Sequence, residues 1–229
     1  MNQISTYEQA VVQVKEDKFF EDKEILKLRD NFGTSVAHIQ ALRGWVTEDK
    51  EILKLKDRIG QSVAHVQVKE GWITEDKEIL VLQDTIGRSV AYEQARRGWT
   101  TNNKEILKLS DQYGWTVAHE QARQGWTTGW VTEDKEILKL KDDRGASVAH
   151  TQAFQGWITE DPEILVLAIK DGPTVAEIQA QYSGWEPEGE TREKFIQELQ
   201  RSFPEEKVQE VLHNIGKLRK EYFEKILLQ

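Results

Sequence analysis

Residues 57–83, DRIGQSVAHVQVKEGWITEDKEILVLQ, hold a turn, two short apolar runs and the dipeptide GW, and variants of the same string fill most of the chain. Aligned on GW, Trp45, Trp72, Trp99 and Trp126 follow at a period of 27 residues. Trp130 comes four residues later through a local duplication, GWTTGW, after which Trp157 and Trp185 resume the spacing. The turn glycines Gly33, Gly60, Gly87, Gly114, Gly145 and Gly172 then mark six units between residues 30 and 185. Such a recurrence is read before any local motif, because it fixes the architecture.

Each unit resolves into two short helices and a turn. Ser35, Ser62, Ser89, Thr116, Ser147 and Thr174 precede V-A-H-x-Q-A and are placed to cap a first helix, which the glycine of GW stops. Thr47, Thr74 and Thr132 are read as caps of a second helix, with Glu and Asp in its first turn ahead of I-L-x-L. The D-x-x-G that follows has turn composition. Helices of roughly eight residues are marginal alone and each carries one apolar stripe, so the units must stack.

The run DQYGWTVAHEQARQGW at 111–126 resembles the first half of the ankyrin repeat, D-x-x-G-x-T-P-L-H-x-A-x-x-x-G-H, and the likeness covers about two thirds of the chain. Valine replaces the proline, tryptophan replaces the second histidine, and the shorter period trims the second helix and the finger loop. The resemblance implies a protein-binding scaffold with no catalytic residues to carry over. The expected fold is an all-α solenoid of short, ankyrin-like helix-turn-helix repeats with a C-terminal helical cap. Residues 1–29 read as a degenerate N-terminal capping repeat, 30–185 as the repeat array with its four-residue insertion near 126–130, and 186–229 as linker and C-terminal cap.

In that last segment EPEGE leads into Phe195, Ile196, Leu199 and Phe203, spaced for one helical face. Ser202 and Glu205 suggest a capping box, with Pro204 in the first turn of a longer helix bearing Val208, Val211, Leu212, Ile215, Leu218, Tyr222 and Ile226. Either a cap on the array or a partner helix fits, and a homodimer through this helix is left open.

Composition bounds the function. With 38% hydrophobic and 31% charged residues the chain reads as soluble, no window suits a membrane span, and the start MNQISTYEQAVV lacks a signal-peptide layout. A cytoplasmic location is expected. No cysteine is present, so disulfides and thiolate chemistry are excluded. A formal charge of −9 makes direct nucleic-acid binding unfavourable.

The histidines His38, His65, His119 and His150 recur once per unit, at a separation too large for one metal to bridge, and read as structural. GW also marks choline-binding repeats, but the helical spacing around it here places Trp45, Trp72, Trp99 and Trp157 between units. Trp115 and Trp130 lie off the common pattern and are expected to be exposed. The paired acids of T-E-D-K-E fit solvated helix starts. No phosphate-binding glycine loop and no nucleophile motif occurs, so no catalytic residue, metal or cofactor is assigned.

Function is sought where units differ. One variable column precedes the turn glycine: Phe32, Ile59, Ile86, Tyr113, Arg144. A second lies late in helix one and includes Arg96, Arg97 and Arg123. A third follows the histidine: Ile39, Val66, Glu93, Glu120, Thr151. The candidate partner-binding residues are Arg96, Arg97, Tyr113, Trp115, Arg123 and Trp130, a mixture of arginine and aromatics suited to an acidic segment of another protein. The alternative is an acidic regulator that occludes a nucleic-acid-handling protein machine. The verbatim return of TEDKEILKLKD at 47–57 and 132–142 points to recent duplication or deliberate design.

Overall fold

The computed structural model describes residues 4–228. Helices α1 (Tyr7–Lys15) and α2 (Lys23–Lys27) lead into the pairs α3 (Val36–Ala41) and α4 (Lys50–Leu53), α5 (Val63–Lys69) and α6 (Lys77–Leu80), and α7 (Val90–Arg96) and α8 (Lys104–Leu107). Next come α9 (Val117–Arg123), α10 (Gly125–Thr128), α11 (Lys135–Leu138), α12 (Val148–Phe154), α13 (Pro162–Leu165) and α14 (Val175–Ser183), then α15 (Gly189–Ser202) and α16 (Glu205–Leu227). The chain divides into two compact units, the first ending at Gln112 and the second beginning at Tyr113. The fold is an all-α helical repeat solenoid. The described residues contain no strand, and the turns Lys56–Ser62, Lys141–Ser147 and their equivalents each close on a single antiparallel bridge.

The expected serine and threonine caps of helix one are present, and in α3, α5, α9 and α12 a histidine completes the cap. In α5 the Ser62 hydroxyl accepts the His65 backbone N–H at 3.4 Å, and His65 Nδ1 accepts the Ser62 backbone N–H at 3.1 Å. This is a capping box with histidine in the place usually taken by glutamate. Helix two departs from expectation. Its N-cap is the aspartate two residues beyond the threonine: Asp49, Asp76, Asp134 and Asp161 accept from the first helical N–H groups, as Asp49 does from Glu51 at 2.9 Å. The threonine instead holds that aspartate, Thr47 Oγ1 accepting the Asp49 N–H at 3.1 Å. Helix two is thereby shortened to K-E-I-L or P-E-I-L, one turn that persists because its Ile and Leu are buried.

Burial follows the repeat. In the first unit Leu53, Ala64, Val68, Ile79 and Val90 form one apolar cluster with Trp72 packed partly against it. In the second unit Leu138, Ala149, Ala153, Ile164, Val175 and Ile178 do the same with Trp157. The repeated glutamine of helix one fastens neighbouring repeats through polar contacts. Gln94 accepts the Thr74 backbone N–H at 2.8 Å and donates to its carbonyl at 3.2 Å, and Gln152 treats Thr132 alike at 3.0 and 3.2 Å. Gln121 is equally buried, yet neither of its amide atoms has a hydrogen-bond partner.

Helices α15 and α16 cover α14 and α13: Phe195, Leu199, Val208, Val211 and Ile215 join Leu165, Val166, Ala176 and Ala180 in one cluster. The expected Ser202–Glu205 capping box does not form. Ser202 ends α15, and Pro204 takes the cap position of α16 with no side-chain cap bond.

Candidate partner-binding surfaces

The turn before each helix one is built from its aspartate. Asp57 Oδ1 accepts the N–H groups of Ile59 at 3.0 Å and Gln61 at 2.9 Å, folding the loop over its carboxylate. The tip is then tied to the next turn through the backbone. In the first unit Arg58 N donates to Phe32 O at 3.0 Å, Thr85 N to Ile59 O at 3.0 Å, and Gln112 N to Ile86 O at 2.8 Å. In the second, Asp143 N donates to Tyr113 O at 2.9 Å and Lys170 N to Arg144 O at 3.1 Å. Gly60 is required in this row, because at φ +73 a Cβ would stand 2.7 Å from Thr85 N. The side chains between these fixed points face solvent: Phe32 is 67% exposed, and Ile59 and Tyr113 are each 57% exposed. Ile86 is half-buried.

The arginines late in helix one already have carboxylate partners. Arg96 donates to Glu93 at 3.2 Å in the first unit. In the second, Arg123 grips Glu120 through Nε at 3.2 Å and through Nη2, and Trp115 Nε1 donates to the same carboxylate at 3.2 Å. Trp115 is half-buried, its ring 4.9 Å from that of His119, so the expectation of a free exposed indole is corrected. Arg97 makes no ion pair with any described residue.

In the column after the histidine Ile39 is half-buried and the other members lie deeper. Val66, Glu93, Glu120 and Thr151 are buried, since that side of helix one faces into the stack. The two glutamates remain there because the adjacent arginines and the Trp115 indole satisfy their oxygens.

The four-residue insertion exchanges the roles of its tryptophans. For Trp45, Trp72, Trp99 and Trp157 the tryptophan backbone N–H bonds the carbonyl of the helix-one glutamine, as Trp72 does to Gln67 at 2.9 Å. After Gln121 the chain instead continues through α10, one further helical turn, and ends on Gly129 at φ 69. Four residues are close to one turn, so the chain re-enters the repeat in phase. Trp126 sits on the added turn and is 81% exposed, whereas Trp130 takes the inward position and is only 7% exposed. The expectation that Trp130 is exposed is therefore overturned. Trp126, Trp130 and Trp157 line a pocket of about 300 Å³, and the buried Trp130 Nε1 has no acceptor.

The histidines are structural in geometry. A backbone N–H can only donate, so Nδ1 of His38, His65, His119 and His150 is the acceptor and the proton rests on Nε2. That proton reaches the carbonyl of the next turn at 3.1 Å for His38 to Gln61, 3.0 Å for His65 to Arg88 and 3.1 Å for His119 to Ala146. Burial pushes the pKa of His38 and His65 down, and that of His150 down to about 4. Among the described residues no group of three or more histidine or acidic side chains could hold a metal ion, and no helix is long and apolar enough to cross a membrane.

No family model matches the sequence, and no curated protein matches it. Among solved structures the chain is similar to the ankyrin repeat domain of Bcl-3, a member of the IkappaB protein family, at 9% identity over 75% of this chain and 86% of that one, with a TM-score of 0.44. It is also similar to a chain in the complex of a predatory endopeptidase from Bdellovibrio bacteriovorus with an immunity protein, at 18% identity over 66% of this chain and 92% of that one, with a TM-score of 0.41. Likenesses of this strength carry no function to this chain. The ankyrin-like expectation is met in the repeated helix pair and its turn.

Proposed function

We propose that this protein is a non-catalytic scaffold that binds a partner protein through the turn row and the adjoining ends of helix one. The carrying observation is the row of exposed apolar side chains on a backbone fixed by hydrogen bonds from turn to turn. A rigid surface loses little conformational entropy on binding, and aromatic residues on such a surface supply most hot spots. In the second unit the contact centres on Tyr113 with Trp115 and Arg123; in the first it joins Phe32 and Ile59 with Arg96 and Arg97. Arg96 and Arg123 are neutralised by Glu93 and Glu120, so an acidic partner would draw on Arg97 and on exchange of these pairs.

The test is capture of partners by the wild-type chain and by Tyr113→Ala, with mass-spectrometric identification. Tyr113 is exposed, which leaves the fold intact. Loss of a captured protein in the variant supports the reading, and retention of every partner contradicts it. A second reading, an acidic regulator that occludes a nucleic-acid-handling protein machine, draws support from a row of glutamates without cationic partners.

A further inference from the structure

The acids of T-E-D-K-E are not equivalent. In the first unit Lys50 pairs with Asp76 at 2.6 Å and Lys54 with Glu78 at 3.1 Å; Lys27 pairs with Glu51 at 2.6 Å, and Lys23 with Asp49. In the second unit Lys135 pairs with Asp161 at 2.6 Å and Lys139 with Glu163 at 2.8 Å. Lysines of one repeat thus neutralise the second and third acids of the next. The first acid of each motif, Glu48, Glu75, Glu133 and Glu160, is within ion-pair distance of no described cation. Glu75 accepts the Trp99 indole N–H at 2.9 Å; the lysine pairs account for the second and third acids and leave the carboxylates of Glu48, Glu133 and Glu160 uncompensated.

In the second unit two of these glutamates rim a groove of about 270 Å³ lined also by Trp157, Leu138, Ile164 and the Lys135–Asp161 pair, in which the lysine is already neutralised. Trp157 is also a wall of the pocket of about 300 Å³ that the inserted turn creates with Trp126 and Trp130. An indole beside uncompensated carboxylates is a cation site: the ring face attracts a guanidinium or ammonium, and the carboxylates supply the opposite charge. The neighbouring pocket, with Trp126, Trp130 and Trp157 in its lining, suits an apolar or aromatic side chain. The first unit repeats the groove, with Glu48 and Glu75 around Trp72, but its sequence lacks the four-residue insertion that brings in Trp126.

We infer that the second unit binds a basic segment of a partner protein, with a lysine or arginine lying over Trp157 between Glu133 and Glu160 and a neighbouring apolar side chain entering between Trp126 and Trp130. Charge complementarity selects this occupant: the chain carries −9, and Glu133 and Glu160 are among the acids that no lysine or arginine neutralises. The inference rests on the scaffold reading and names a partner class for a second face.

The probe is a fluorescent peptide of alternating lysine and leucine, with its glutamate–leucine counterpart as control, titrated by anisotropy against the full chain. The expected result is binding of the lysine peptide alone, weakened by salt, and about tenfold weaker for both E133Q/E160Q and Trp126→Ala. All three substituted side chains are exposed, and circular dichroism confirms the fold of each variant. No binding, equal binding of the glutamate peptide, or undiminished binding by E133Q/E160Q overturns the inference. A partner captured as well by E133Q/E160Q as by wild type, yet lost by Tyr113→Ala, overturns it while leaving the scaffold reading standing.

Discussion

Glu177 accepts the Thr174 backbone N–H at 2.7 Å and its hydroxyl at 2.9 Å, the same two contacts that a histidine Nδ1 makes in four other repeats. The exchange has a chemical cause at the other end of the side chain. A histidine Nε2–H needs a carbonyl, which the next turn supplies for His38, His65 and His119. Beyond α14 stands Asn214 of α16, whose amide N–H₂ donates to Glu177 Oε1 at 2.7 Å. A donor there calls for an acceptor, and the carboxylate provides it.

Glu177→His replaces the charge-assisted hydrogen bond to Asn214 with, at best, a neutral one that requires Asn214 to turn its amide. It should cost about 1–3 kcal/mol in urea denaturation, and Asn214→Asp should restore part of that loss. A neutral single substitution would show that the match does not matter.

The buried glutamines predict opposite outcomes for one substitution. Gln94→Leu strands the Thr74 N–H and carbonyl and should destabilise by about 2 kcal/mol. Gln121→Leu removes an amide that has no partner and should be neutral or stabilising. Equal losses in the two variants would contradict the hydrogen-bond assignment.

The buried histidines make stability fall with acid. Their folded pKa values lie below the unfolded value of about 6.5, so the unfolded chain binds more protons between the two. Stability is complete above about pH 6.5 and is lost as pH falls toward the folded value. For His150, with its pKa near 4, the loss is on the order of 3 kcal/mol once titration is complete. The carboxylates held low by lysine, such as Asp49 and Glu51, lose their contribution only in stronger acid. Urea denaturation at intervals from pH 7 to 5 should show a steady decline, reduced in His150→Gln.

Two glycines with similar backbones should respond differently to alanine. Gly60 and Gly129 have φ +73 and +69, but only Gly60 has backbone within contact of an added Cβ. Gly129→Ala should cost about 1 kcal/mol for its left-handed conformation alone. Gly60→Ala should cost more, because Thr85 must move. Thermal melts of the two variants compare them directly.

Much of this fold was legible in the sequence, because a repeat writes each constraint six times. The period, the turn glycines and the helix-one caps all emerge from column identity. The four-residue length of helix two was hidden because Thr47 and Asp49 are both good capping residues, and only geometry shows which one caps. The Trp126–Trp130 exchange was hidden for another reason. A four-residue insertion reads alike as loop or as one helical turn, and the turn decides which tryptophan faces inward. Within the candidate site the exposure of Tyr113 was legible, whereas the charge around Arg123 was misread. An arginine in a string shows its own charge and not that of the buried Glu120 three residues earlier, a helical neighbour whose burial was not foreseen.

The central claim is that a partner docks on the turn row. Hydrogen–deuterium exchange of the chain alone and with its captured partner tests it most directly. The account predicts new protection at the turns around Phe32, Ile59 and Tyr113 and at the end of α9. Protection confined to the outer face of α15 and α16, or none in the turn row, would contradict it.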